Sequence, residues 1–255
     1  MVARPDGKPL EHFSWPLLRP ILTEIFQMAL RSLTGPSLAP LKGPATHLVV
    51  LVHGYGSDGN DLIGLAEHWR DALPSAHFVA PNAPDPLPGS PGYQWFPISR
   101  MDPVEMSKGM ESAGPTLDQF LDTELARLSL APDKLILVGF SQGCMLSLHL
   151  GLRRVVPPAA IVGLSGLLTA PPPPRPDGPP IFLAHGDADQ IVPVQAMLMA
   201  AMTLGLAGRT VQWHLAHGIG HGVDPETMAQ AGVFLGLAYA GLLVSPGPAS
   251  SPLRP

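Results

Sequence analysis

Cysteine is almost missing from this chain of 255 residues: Cys144 stands alone. One thiol excludes an intramolecular disulfide and suits a reducing compartment, so the sequence is read as cytoplasmic. Charge is scarce as well. Asp, Glu, Lys and Arg together make up 14% of the residues, too few for a disordered polyelectrolyte. The net charge of −5 gives no basic footprint, which argues against a nucleic-acid partner. No apolar run reaches the roughly 20 residues a membrane-spanning helix needs, so stable membrane insertion is not expected.

What is present in quantity is apolar side chain, 45% of the residues, and proline, 32 of them. The apolar fraction and the length suffice for one sizeable core. Proline concentrates in PPPPRPDGPP at 171–180 and in the tail from 246 to 255. Proline runs favour extended polyproline II and cannot enter a central strand. The first is therefore read as a stiff surface connector, and residues 244–255 as a disordered tail. Near the other end, WPLLRPILTEIFQMALRSL carries one apolar face at helical period. Pro20 and Glu24 interrupt it as a secretory signal. Residues 1–33 are read as a helical extension of a domain covering 34–243.

From Leu48 onward, short apolar runs alternate with helical patterns. Strands are expected at 48–52, 77–80, 134–138, 160–164, 181–184 and 211–215. Helices are expected at 61–73, 116–128, 142–153, 193–204 and 225–242. Asp224 as N-cap with Pro225 at the first helical position marks the start of the last helix. The alternation predicts an α/β fold, a mostly parallel sheet flanked by helices. LVVLV and LILV are the near-continuous apolar runs that strands buried on both faces require.

In such sheets ligands bind beyond the carboxyl ends of the strands. Four expected strand ends carry HGYG at 53–56, GFSQG at 139–143, HGDAD at 185–189 and HGIGH at 217–221. A serine, two aspartates and four histidines thus meet one rim, with Ser141, the aspartates and the last two histidines following in the order Ser, Asp, His. Gly139-x-Ser141-x-Gly143, between strand and helix, is the pattern of a nucleophile elbow. The turn pushes the serine oxygen out above the sheet, and the flanking glycines permit close strand–helix approach. HGYGSDG also fits a dinucleotide fingerprint, Gly54-x-Gly56-x-x-Gly59. That reading needs an acid about 20 residues further on to hold a ribose, and HFVAPNAP offers none before Asp85. The loop is better suited to aiming amides at an oxyanion.

HGYGSDGNDLIGLA, PNAP with GYQWFPI, GFSQGCMLSLHL, LSGLL, HGDADQIVPV and GHGVDPE together resemble the phospholipase/carboxylesterase family of α/β-hydrolases, which includes the acyl-protein thioesterases. The resemblance covers roughly residues 34–243. It implies an α/β-hydrolase fold without an inserted cap domain. It also implies a serine esterase with a Ser-Asp-His triad, and neither metal nor organic cofactor. Motif by motif, it implies Ser141 as nucleophile, Asp189 in preference to Asp187 as the acid, and His221 in preference to His217 as the base. The Tyr55 and Gln142 main-chain N–H groups are the implied oxyanion donors. His53 and His185 are read as positioning their loops, and Cys144 as a buried small residue. His214, His217 and His221 lie near metal-ligand spacing, but the intervening glycines forbid the helix that would align them.

The gaps between Ser141, Asp189 and His221 leave no room for a cap, so the pocket is expected to be open and covered by loops. Trp95 and Phe96 are candidate substrate-binding walls. The stretch 100–112 is read as a second loop whose Met101, Met106 and Met110 suit acyl chains. PGSPGYQ before Trp95 departs from the thioesterase version, which favours small soluble esters over acylated proteins. The expected activity is hydrolysis of short- to medium-chain acyl esters, lysophospholipids or acyl thioesters. Two alternatives share the fold: a non-catalytic small-molecule receptor, and an acyltransferase using the same triad. The sequence leaves a homodimer open.

Overall fold

The structure is a computed structural model that describes residues 32–100, 102–175 and 177–243. The expected N-terminal extension, except for Ser32 and Leu33, and the expected tail lie outside the described residues, as does Met101.

Among the described residues, seven strands form the main sheet: β1 (Ser37–Leu38), β2 (His47–Val52), β3 (Ala76–Val79), β6 (Leu135–Phe140), β7 (Ala160–Leu164), β8 (Ile181–Gly186) and β9 (Val211–Ala216). Their order is β1-β3-β2-β6-β7-β8-β9. Only β1 runs antiparallel to its neighbour. The hairpin β4 (Asp85–Pro86) and β5 (Tyr93–Gln94) stands apart. Among the described residues, five α-helices flank the sheet: α1 (Gly59–Ala66), α2 (Pro103–Arg127), α3 (Gln142–Gly151), α4 (Gln195–Leu206) and α5 (Pro225–Tyr239).

Helices cover both faces, so inner strands must be apolar throughout. Leu48 to Val52 are fully buried, each such side chain contributing roughly 1.5–3 kcal/mol. Buried side chains of α2, α3 and α4 join one core cluster, and those of α1 and α5 join the other. The described residues of the proline-rich stretch form no regular element. Arg153 and Arg209 donate to the carbonyls of Pro171 and Pro173 and hold it to the surface.

Strands and most helices fall within a few residues of expectation. The exceptions are α1, which ends at Ala66 where a helix was expected to 73, and α2, whose 25 residues begin after the N-cap Asp102, where the sequence suggested a loop. Gly109, Gly114 and Pro115 hide its helical pattern. Gly109 has a packing reason: a Cβ there would stand 2.2 Å from the Phe96 ring.

The strand order locates the site. From β2 the chain turns outward to β3, while the adjacent β6 turns the opposite way to β7. At such a reversal the two loops diverge and leave a crevice at the carboxyl ends. The loops opening there are the one headed by His53 and the one centred on Ser141.

Candidate active site

Ser141 sits between β6 and α3 with φ 53° and ψ −115°, backbone angles that cost an L-residue roughly 1–3 kcal/mol. Its surroundings impose them. Its N–H donates to the Leu164 carbonyl at 2.9 Å. A Cβ on Gly139 would lie 2.3 Å from the Gly143 oxygen, and one on Gly143 only 1.9 Å from the Val52 oxygen. Ser141 occupies the N-cap of α3 yet makes no capping bond, so its hydroxyl is free for another partner.

That partner is His221, whose Nε2 stands 3.0 Å from Ser141 Oγ. Its Nδ1 is 2.7 Å from Asp189 Oδ2. Facing a carboxylate, Nδ1 carries the proton, which leaves the Nε2 lone pair for the serine hydroxyl. Asp189 Oδ1 accepts from the amides of Ile191 at 2.8 Å and Val192 at 3.0 Å. Burial works against the Asp189 charge, but the His221 ring and these two amides outweigh it, and the carboxyl is held below its ordinary range. The Phe140 ring packs against His221 at a centroid distance of 5.1 Å.

Asp187 and His217 form a second pair, His217 Nδ1 lying 2.6 Å from Asp187 Oδ2. Asp187 Oδ1 also accepts from the Gly218 amide at 2.7 Å, and the Ala188 amide donates to the Ile219 carbonyl at 3.0 Å. These bonds tie the loop carrying His221 to the loop carrying Asp189. The three neighbouring histidines do not converge, and among the described residues no group of three or more His, Cys, Asp or Glu is placed to hold a metal ion.

The loop after β2 forms the facing wall. A Cβ built on Gly54 would meet Ser141 Cβ and the Phe140 ring at 3.2 Å, so glycine lets this backbone come this close without displacing its neighbours. His53 accepts from the Ala83 amide at 2.9 Å through Nε2 and donates through Nδ1 to the Gly54 carbonyl at 2.7 Å. Among the described residues, neither the Tyr55 nor the Gln142 main-chain N–H has a hydrogen-bond partner. Gln142 is the first residue of α3, where helix amides point at developing negative charge.

Trp95 and Phe96 are 2% exposed and support the wall from behind. Trp95 Nε1 donates to the His53 carbonyl at 3.0 Å. Met106 and Met110 are core residues of α2, so the reading of 100–112 as a methionine-bearing pocket loop is corrected. The helix buries their side chains instead of presenting them. An open cleft of about 830 Å³ lies alongside, with Phe96, Arg100, Val104 and Lys108 among its lining residues.

Two contacts escaped sequence reasoning. The buried Gln142 side chain staples the 95–96 segment, accepting from the Trp95 amide at 3.0 Å and donating to the Phe96 carbonyl at 2.8 Å. A glutamine at a helix start carries no signal of such a distant partner. His185 Nε2 donates to the Val192 carbonyl at 2.8 Å and lies 3.1 Å from Asp189 Oδ2; its loop-holding role was legible, its nearness to the acid was not. Cys144 is buried, and burial pushes its thiol up to about 12.

Residues 34–238 match the phospholipase/carboxylesterase family. The chain is 29% identical over 222 residues to acyl-protein thioesterase 1 of Gibberella zeae, covering 78% of this chain and 94% of that protein. It is 28% identical to the Neurospora crassa protein of the same name, covering 76% and 87%. Among solved structures it is similar to esterase PE8, with 42% identity, a TM-score of 0.75, and coverage of 80% of this chain and 98% of that one.

Proposed function

The chain belongs to the phospholipase/carboxylesterase family and is a carboxylic ester hydrolase, and from that premise we propose that it works through an acyl-enzyme on Ser141. His221 Nε2 takes the hydroxyl proton as Oγ attacks the ester carbonyl. The imidazolium formed is stabilised and oriented by Asp189. The oxyanion of the tetrahedral intermediate accepts from the Tyr55 and Gln142 amides, each worth on the order of 3 kcal/mol. His221 then returns the proton to the leaving alcohol or thiol, and water clears the acyl group by the same steps. The observation that carries this reading is the unbroken chain from Ser141 Oγ through His221 to Asp189, at 3.0 and 2.7 Å.

The substrates we propose are short- to medium-chain acyl esters. The 42% identity to an esterase, against 29% to an acyl-protein thioesterase, supports that preference. So does the divergent proline- and glycine-containing hairpin ahead of Trp95. No helix among the described residues is long and apolar enough to cross a membrane. The cytoplasmic setting we propose rests on the lone buried thiol.

The test is hydrolysis of a p-nitrophenyl ester series by the wild type and Ser141→Ala, with mass spectrometry of a fluorophosphonate adduct. A loss of roughly a thousand-fold or more, with the adduct on Ser141, is expected. An unchanged rate in the variant refutes the proposal.

A further inference from the structure

Helix α4 and strand β9 carry no Asp, Glu, Lys or Arg; their sequences are QAMLMAAMTLGL and VQWHLA. The inner side of α4 is explained by the core, which takes Met197, Ala200 and Leu204. The outer side is not. Leu198, Met199, Met202 and Leu206 are 45% to 84% exposed.

Strand β9 ends the sheet and extends the same surface. In the parallel register Trp213 stands opposite Leu183, and Leu215 opposite His185. Partners in register point to the same side. Leu183 belongs to the cluster that also holds Met197, so Trp213 and Leu215 project on the side that α4 covers. They are 55% and 41% exposed. The helix runs back from the rim that holds Asp189, and β9 returns beside it. Twelve helical residues and six strand residues both span roughly 20 Å, and the helix packs against β9 as well as β8.

The size of this surface points to its occupant. These six side chains, with Ile191 at the rim end, expose on the order of 800 Å² per chain, the area one partner buries in a standard interface. Monomers rarely expose so much contiguous apolar surface. A face without charge offers nothing for a dissimilar charged partner to read, whereas it is complementary to itself. Leu198, Met202 and Leu206 recur every four residues and form a ridge that packs across its own copy. Trp213 is the type of side chain that anchors interfaces. Val155, in the turn after α3, and Val233, on α5, are also exposed but lie on other segments.

We propose that the outer face of α4, with Trp213 and Leu215 of β9, is the two-fold contact of a homodimer of this chain. The proposal is independent of the chemistry assigned to Ser141. Light scattering on a sizing column at about 10 μM should give twice the chain mass of 26.9 kDa. Met202→Glu and Trp213→Glu each bring like charges together across the axis and should weaken dimerisation by at least a hundred-fold. Val155→Glu and Val233→Glu should not. Far-UV circular dichroism and fluorophosphonate labelling verify that each variant is folded.

A monomeric wild type at about 100 μM overturns the proposal, and so does a dimer that survives both Met202→Glu and Trp213→Glu. Two further results also count against it. A monomer that sediments with phosphatidylcholine vesicles, and fails to do so as Met202→Glu, assigns the face to lipid. A monomer whose Met199 and Met202 resist peroxide oxidation assigns it to another part of the same chain.

Discussion

Replacing Gly143 by alanine tests the elbow at its tightest point. The new Cβ would stand 1.9 Å from the Val52 oxygen and 2.6 Å from the His53 oxygen. Both obstacles are backbone, so no rotamer relieves them. Reaching an ordinary contact moves the start of α3 by about 1 Å, and misplacement on that scale costs on the order of a hundred-fold in rate. Ser141 is pulled along, and its 3.0 Å bond to His221 lengthens beyond hydrogen-bonding range. Overpacking adds roughly 1–3 kcal/mol of lost stability, a fall of about 2–12 °C in melting temperature for a domain of this size. The assay is kcat on p-nitrophenyl butyrate with a thermal melt. Gly64→Ala is the control: it lies in α1, a Cβ there meets nothing within 4 Å, and helix propensity predicts a gain of roughly 0.5–1 kcal/mol. If Gly143→Ala keeps wild-type kcat, the strained turn is not what positions the serine.

Asp187→Ala removes the tie between the Asp189 and His221 loops; kcat should fall roughly tenfold while KM holds, and equal losses in a saturation curve at pH 7.5 would contradict this. Burial, reinforced by Arg153, lowers the His149 pKa from 6.5 to about 4. The unfolded chain therefore takes up this proton below pH 6.5 while the folded chain does so only near 4, so stability falls as pH drops through that window. His149→Gln should flatten that part of a plot of melting temperature against pH. Cys144 should resist Ellman's reagent at pH 8 in the native protein and react once unfolded, because its thiol is both buried and held near 12.

Much of the architecture is legible locally. Strands covered on both faces have to be apolar along their length, so LVVLV and LILV announce β2 and β6 without help from the rest of the chain. The elbow is local as a strand–turn–helix pattern, and so is the reason for Gly139, which faces Gly143, but Gly143 itself answers to Val52 and His53 of the distant β2 segment. The first turns of α2 are not legible, since their glycines and proline answer to packing elsewhere, as Gly109 does to Phe96. Met106 and Met110 therefore read as pocket residues although the helix directs them into the core.

By itself, the order of residues determined an alternating parallel sheet and one rim on which serine, aspartates and histidines had to meet, because burial and turn chemistry act over a few residues. Those local rules did not say which aspartate faces which histidine; only the resemblance of the motifs favoured Asp189 with His221. Both pairs exist, Asp189 with His221 and Asp187 with His217. Two loops 30 or so residues apart close on each other, and side-chain direction there is set by contacts such as Ala188 to Ile219. The uncharged outer face of α4 likewise emerges only when β9 lies beside it, because an apolar helix reads the same whether its second face is covered or bare.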